Sequence, residues 1–324
     1  MALLNVQPWS WADRTGLIFL VFLTIASSGN LYGLSSIDTS EAVEIGGIKQ
    51  WISIKGINDH DPILLFLHGG PGNSAMSYGD RFTSLLQKHF VVVQWDQRES
   101  GKTAKLNTSL KALTVELMLS DAIEVINYLR KRFSCEKIYL MGHSWGGFLG
   151  LQVAHIHPEL LEAYFAISPM VSQLKSECLS LEWMRGKGKE ANNSRELREL
   201  ANVVIPFENG EQLYYHRKWL ALEMGTSPPS KVFVDTWARK WLMLFNEASM
   251  LDLFEAATEI RCPAYFFVGS RDHQTYFKLT ESFYEEVKAE KKGLFWFINS
   301  AHNPHLTEQK KFQEIVISLL MSKN

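Results

Sequence analysis

Cysteine is scarce in this chain. Its 324 residues hold three, Cys135, Cys178 and Cys262, with no C-x-x-C spacing between them. Three are too few for a disulfide framework and lack the paired spacing of a zinc site. They read as structural residues, one pair of which could bridge in an exported protein. Long runs of one charge are missing too. Lys and Arg number 33 against 35 Asp and Glu, a formal net charge of -2, so no basic stripe points to a nucleic-acid partner. The cluster at residues 288–292 includes Glu290 and reads as the solvated end of a helix. Internal repeats and low-complexity tracts are absent.

Long hydrophobic runs are rare as well, except near the N-terminus. No charged residue falls between Arg14 and Asp38, and the densest part, residues 17–26, precedes Ser27-Ser28-Gly29. About ten apolar residues fall short of the roughly 20 that span a bilayer and suit a signal-peptide h-region, or an anchor lying tilted. Arg14 before the run and Asp38, Glu41 and Glu44 after it favour a cytoplasmic N-terminus and an exported body. Residues 1–37 are therefore expected to be a signal or anchor segment, with membrane association through residues 15–37. A buried N-terminal helix is the competing reading.

What is present is a chain able to bury a large core, 46% hydrophobic and 21% charged. Residues 44–55 alternate as one strand does, around Gly46-Gly47. Residues 63–67, 90–95, 138–141, 163–167, 264–268 and 294–298 are short continuous apolar runs, the mark of strands covered on both faces. Apolar residues at three-and-four spacing predict helices over 115–133, 147–157, 276–289 and 306–321. Strands alternating with helices imply a mainly parallel central sheet flanked by helices, whose functional loops lie at the carboxyl ends of the strands. The alternation fails between Pro169 and about Ile260. That stretch, rich in Trp183, Trp219, Trp237 and Trp241, reads as a helical lid over 169–261, with Pro228-Pro229 between two of its helices. The catalytic domain is then 43–168 together with 262–324.

Chemistry sits in the predicted loops. Gly142-His143-Ser144-Trp145-Gly146 matches G-x-S-x-G between a strand and a helix, the strained turn that exposes a nucleophilic serine in the α/β-hydrolase fold. His68-Gly69-Gly70-Pro71-Gly72 follows an earlier strand, so the N–H groups of Gly70 and Trp145 can form an oxyanion hole. In this fold the acid follows the serine and the histidine comes last. Asp272 lies just past the strand at 264–268 and His302 just past the one at 294–298. The assignment is therefore Ser144 as nucleophile, His302 as base and Asp272 as the acid that holds the imidazole tautomer. His305 and His273 are the rival bases. His68 reads as a loop brace, as do Asp96 and Arg98.

Together, His68-Gly-Gly-Pro-Gly72, Asp96-Gln-Arg-Glu-Ser-Gly101 and Gly142-His-Ser-Trp-Gly-Gly147 resemble the proline iminopeptidase family of α/β hydrolases. The resemblance covers about residues 43–168 and the chain from 262 onward. It implies metal-independent release of an N-terminal residue, often proline, from short peptides, without a cofactor. It also implies lid carboxylates that bind the α-ammonium group. Candidates are Glu182, Glu208, Glu211, Glu223 and Glu247, with Glu247 favoured because it follows Trp237 and Trp241. Two positions depart from the family pattern: Glu99 stands where it shows glycine, and His143 precedes the serine. The alternatives are a carboxylic-ester or lactone hydrolase on the same triad and an inactive hydrolase-like binding protein. Epoxide hydrolase and haloalkane dehalogenase chemistry needs an aspartate where Ser144 stands.

Overall fold

The computed structural model describes residues 35–107 and 111–322. Eight strands form one sheet: β1 (Ile37–Ile45), β2 (Ile48–Gly56), β3 (Ile63–Leu67), β4 (Val91–Asp96), β5 (Ile138–His143), β6 (Leu161–Ile167), β7 (Ala264–Gly269) and β8 (Lys292–Phe297). Their spatial order is β1-β2-β4-β3-β5-β6-β7-β8. β1 and β2 pair antiparallel, as do β2 and β4, and every later pairing is parallel. Ile63, Leu65 and Leu67 of β3 join one apolar cluster, while Leu64 and Phe66 join another on the opposite face. A strand covered on both sides needs apolar residues at successive positions, which is why these segments do not alternate.

Residues 44–55 are not one strand. They carry parts of β1 and β2, joined where Gly46 and Gly47 both take positive φ, 58° and 75°. Two successive left-handed residues make the tight hairpin turn whose twist matches its strands, and glycine takes them at little cost.

Crossovers are helical: α1 (Val115–Arg132) and α2 (Trp145–Ile156) lie in the first half of the chain. Between β6 and β7 the chain forms α3 (Gln173–Glu190), α4 (Ser194–Ala201), α5 (Gly210–Glu223) and α6 (Lys231–Ser249). Pro228 and Pro229 separate the last two. The final helices are α7 (Phe277–Glu286) and α8 (Gln309–Met321), the latter preceded by a separate turn at Pro304–Thr307.

The lysine-rich cluster at 288–292 is not a helix end. Lys288–Ala289 is a two-residue strand paired with Glu259–Ile260, and Lys292 opens β8. The Lys292 ammonium instead donates to the carbonyls of Tyr284, Glu285 and Val287, closing the end of α7. The three cysteines are unbridged. The apolar run at 17–26 lies outside the described residues; among those described, no helix is long and apolar enough to cross a membrane.

Candidate active site

Ser144 lies between β5 and α2 with φ 55° and ψ -115°, a strained conformation for a residue with a Cβ. The residues two before and two after it have to be glycine. A Cβ on Gly142 would come 2.2 Å from the Gly146 carbonyl oxygen, and one on Gly146 would come 2.1 Å from that of Leu67. The turn is locked from outside by hydrogen bonds from Ser144 N–H to the Ile167 carbonyl and from Met170 N–H to the Ser144 carbonyl.

His302 and Asp272 meet beyond the ends of β8 and β7. His302 Nδ1 donates to Asp272 Oδ2 at 2.9 Å. Thr275 Oγ1 donates to the same oxygen, and the N–H groups of Gln274 and Thr275 donate to Oδ1. Burial alone would raise the Asp272 carboxyl. The His302 charge and the bonds from His302 and Thr275 outweigh it and hold the group well below the usual carboxylate range. His302 Nε2 makes no hydrogen bond among the described residues, Ser144 included. A nucleophile–base bond commonly tightens only around substrate, and Ser144 and His302 line the same cavity.

His143 is tied into this assembly, a link the sequence reading did not find. Its Nε2 donates to the His302 carbonyl at 2.9 Å, which fixes the backbone of His302. Burial, reinforced by the neighbouring His302, pushes His143 down to about 3, so the ring is neutral at pH 7. The rival histidines are engaged elsewhere. His305 is buried edge-on against Phe82 at 4.8 Å, with neither ring nitrogen bonded among the described residues. His273 stacks at 3.7 Å, nearly parallel, on Trp183 of α3.

Beside Ser144, the backbone N–H groups of Gly70 and Trp145 have no acceptor among the described residues. Gly70 takes φ 121°, and a Cβ there would press to 2.6 Å from the Gly72 nitrogen. The loop at 68–72 is braced throughout. His68 Nε2 pairs with the Ser100 hydroxyl and accepts from Gln97 N–H. Gln97 joins this loop to the serine turn: its Nε2 donates to the His68 carbonyl and its Oε1 accepts from Trp145 Nε1. Asp96 Oδ2 accepts from Lys102 N–H, and Arg98 is buried against Asp121 and the Gly46 carbonyl.

The lid closes a cavity of about 520 Å³ over Ser144 and His302. Leu213, Phe233, Val234, Trp237 and Phe245 supply its apolar lining, and Gln173, Arg217 and Arg271 are among its polar residues. Among the described residues, no aspartate or glutamate lines it. Of the lid carboxylates considered from sequence, Glu182, Glu208, Glu211 and Glu247 are exposed and Glu223 is half-buried. Glu247 is a correction: its Oε1 accepts from Val115 N–H at 3.0 Å and so caps α1, outside the cavity. Two lid carboxylates are buried, Glu177 and Glu196, and Glu177, 1% exposed, is spent on partners. Arg217 holds both its oxygens, Gln173 donates to Oε1 at 2.6 Å, and His216 Nε2 lies 3.4 Å from Oε2. Burial would raise Glu177, but the Arg217 charge and the bonds from Arg217 and Gln173 turn the balance and lower it.

An elbow serine between strand and helix, a histidine–aspartate pair from the last two strand ends and a helical lid define an α/β hydrolase. Residues 62–193 match the α/β-hydrolase fold family model. The Bacillus subtilis (strain 168) protein named "Probable aminopeptidase YbaC" is 30% identical over 86% of this chain and 94% of its own length. A proline iminopeptidase of Heyndrickxia coagulans is 22% identical over 80% of the chain and 90% of its length. The proline iminopeptidase-related protein of Thermus thermophilus superposes with a TM-score of 0.60 at 23% identity, over 87% of this chain and 98% of that one. The chain belongs to the proline iminopeptidase family of α/β hydrolases and is a serine hydrolase.

Proposed function

We propose that the protein releases N-terminal proline or small residues from short peptides through an acyl-enzyme on Ser144. The observation that carries this is one lid-closed cavity containing Ser144, His302 and Gly70; the names of the relatives supply the substrate class. Ser144 Oγ attacks the scissile carbonyl carbon while His302 Nε2 takes its proton. The oxyanion that forms is held by the N–H groups of Gly70 and Trp145, donors worth about 3 to 4 kcal/mol each by analogy with measured oxyanion holes. His302 then protonates the leaving amine as the C–N bond breaks, and a water repeats the sequence to free the residue. Asp272 keeps the proton on Nδ1 throughout.

Ester hydrolysis on the same residues is the second reading, favoured by a cavity without a carboxylate to pair an ammonium. A panel of aminoacyl arylamides, their N-blocked forms and acyl p-nitrophenyl esters separates the two. The peptidase reading expects blocking to abolish turnover; indifference to blocking defeats it. Ser144→Ala is expected to abolish turnover of every member while leaving the fold intact, and retained activity on any of them removes Ser144 from its role.

We propose further that residues 15–37 direct export or anchor the chain with its catalytic domain outside the cytoplasm, from the apolar run and its flanking charges. Fractionation of the full chain tests this, and recovery in the cytoplasmic fraction refutes it.

A further inference from the structure

The lid's first helix begins with an amide whose hydrogen bonding is incomplete. Gln173 is 2% exposed and lines the cavity that holds Ser144 and His302. Its Nε2 donates to Glu177 Oε1 at 2.6 Å and to the Gln274 carbonyl at 3.1 Å. Both N–H groups are therefore used, and two acceptors at that end fix which way the amide points. Oε1 is left with no partner among the described residues. A buried acceptor left unpaired is unfavourable by about as much as a made hydrogen bond is favourable, or more, so it points to a donor that arrives with the ligand.

Three facts say what the donor is. Gln173 is held between the two arms of the site: Met170, three residues earlier, donates its N–H to the Ser144 carbonyl, and Gln274 donates its own N–H to Asp272. These bonds place Gln173 next to the serine turn and the Asp272 loop, where the acyl part of a substrate would sit. No carboxylate among the described residues competes for that donor, because none lines the cavity and Glu177 is already held by Arg217 through both oxygens. Finally, His216, packed against this pair, is pushed down to about 4, chiefly by burial, and is neutral. The pocket therefore offers a neutral acceptor.

We propose that Gln173 is the specificity residue of the acyl pocket: its Oε1 accepts the N–H of the substrate's terminal amino group, in place of a lid carboxylate. This rests on the aminopeptidase reading above and assigns the residue that reads the amine.

Matched substrates test it. L-Prolyl p-nitroanilide is compared with cyclopentanecarbonyl p-nitroanilide, and L-alanyl with propionyl p-nitroanilide, each pair differing only by the nitrogen. Wild type is expected to prefer the nitrogen-bearing member in kcat/KM. Gln173→Met is expected to lose that preference by roughly 10- to 100-fold. The readout is a ratio within one preparation, so a partly unfolded variant does not alter it. If Gln173→Met keeps the wild-type ratio, Gln173 is not the reader and the aminopeptidase reading stands. If wild type shows no preference for nitrogen in either pair, that reading falls and the Gln173 assignment with it.

Discussion

Ser144 and Glu99 both take positive φ without being glycine, at 55° and 61°, and for different reasons. Strain at Ser144 lifts the hydroxyl clear of the sheet. At Glu99 the family pattern has glycine, which tolerates the conformation, and here the carboxylate is held by Lys240 of α6 at 2.7 Å. The backbone strain is thus offset by a contact that glycine lacks. Exchanging His302 and His305 separately checks the base at this scale. His302→Ala is expected to lower kcat by several orders of magnitude, whereas His305→Leu is expected to keep it within a few-fold. Full activity in the His302 variant transfers the role elsewhere.

At the scale of elements, the decisive contacts run between segments far apart in the chain. Glu247 of α6 caps α1, next to Thr114, whose hydroxyl accepts from Leu117 N–H. Glu247→Ala is therefore expected to lower stability by about 1 kcal/mol, the usual cost of losing a cap, with KM unchanged. Thermal melts and steady-state kinetics on one preparation separate this from a substrate-binding role, which would raise KM and leave the melt alone. The same contacts explain what was legible in the sequence. Strands buried on both faces and the serine turn are local signals, so β3 to β8 and the loops that carry Ser144, Asp272 and His302 could be placed from the chain alone. The roles of Gln97, His143 and Gln173 arise from partners 29 to 159 residues away, and no spacing encodes them. The hairpin at Gly46-Gly47 is the exception: the alternation runs through its turn, so the pattern of residues 44–55 does not show where one strand ends and the next begins.

Over the whole molecule, burial has placed neutral imidazoles and ionised carboxylates deep inside, and each sets a pH range. His143 and His216 titrate near 3 and 4 in the folded chain, and His305 also lies well below its ordinary value, all three chiefly through burial. Below about pH 6.5 the unfolded chain binds protons at these positions and the folded chain does not. Stability is therefore expected to fall as pH drops from about 6.5 towards 4. Asp272 and Glu177 are lowered carboxylates, so their contribution is present above about pH 4 and is lost on further acidification through their folded values. Melting temperature against pH checks both ranges. His305→Leu is expected to flatten the upper one, with its advantage over wild type growing as pH falls; a constant difference between the two curves rejects the account.

The loop at 68–72 has one more consequence. Trp237 Nε1 donates to the Pro71 carbonyl, and a Cβ on Gly72 would run into the Trp241 ring at 2.3 Å. On its other side a Cβ on Gly69 would meet His143 at 3.0 Å. Almost no side chain can be added to this loop, so diversification of substrate choice has to fall on the lid. Leu213, Phe233 and Val234, which carry none of the site's hydrogen bonds, are where an engineer or natural drift has freedom to move.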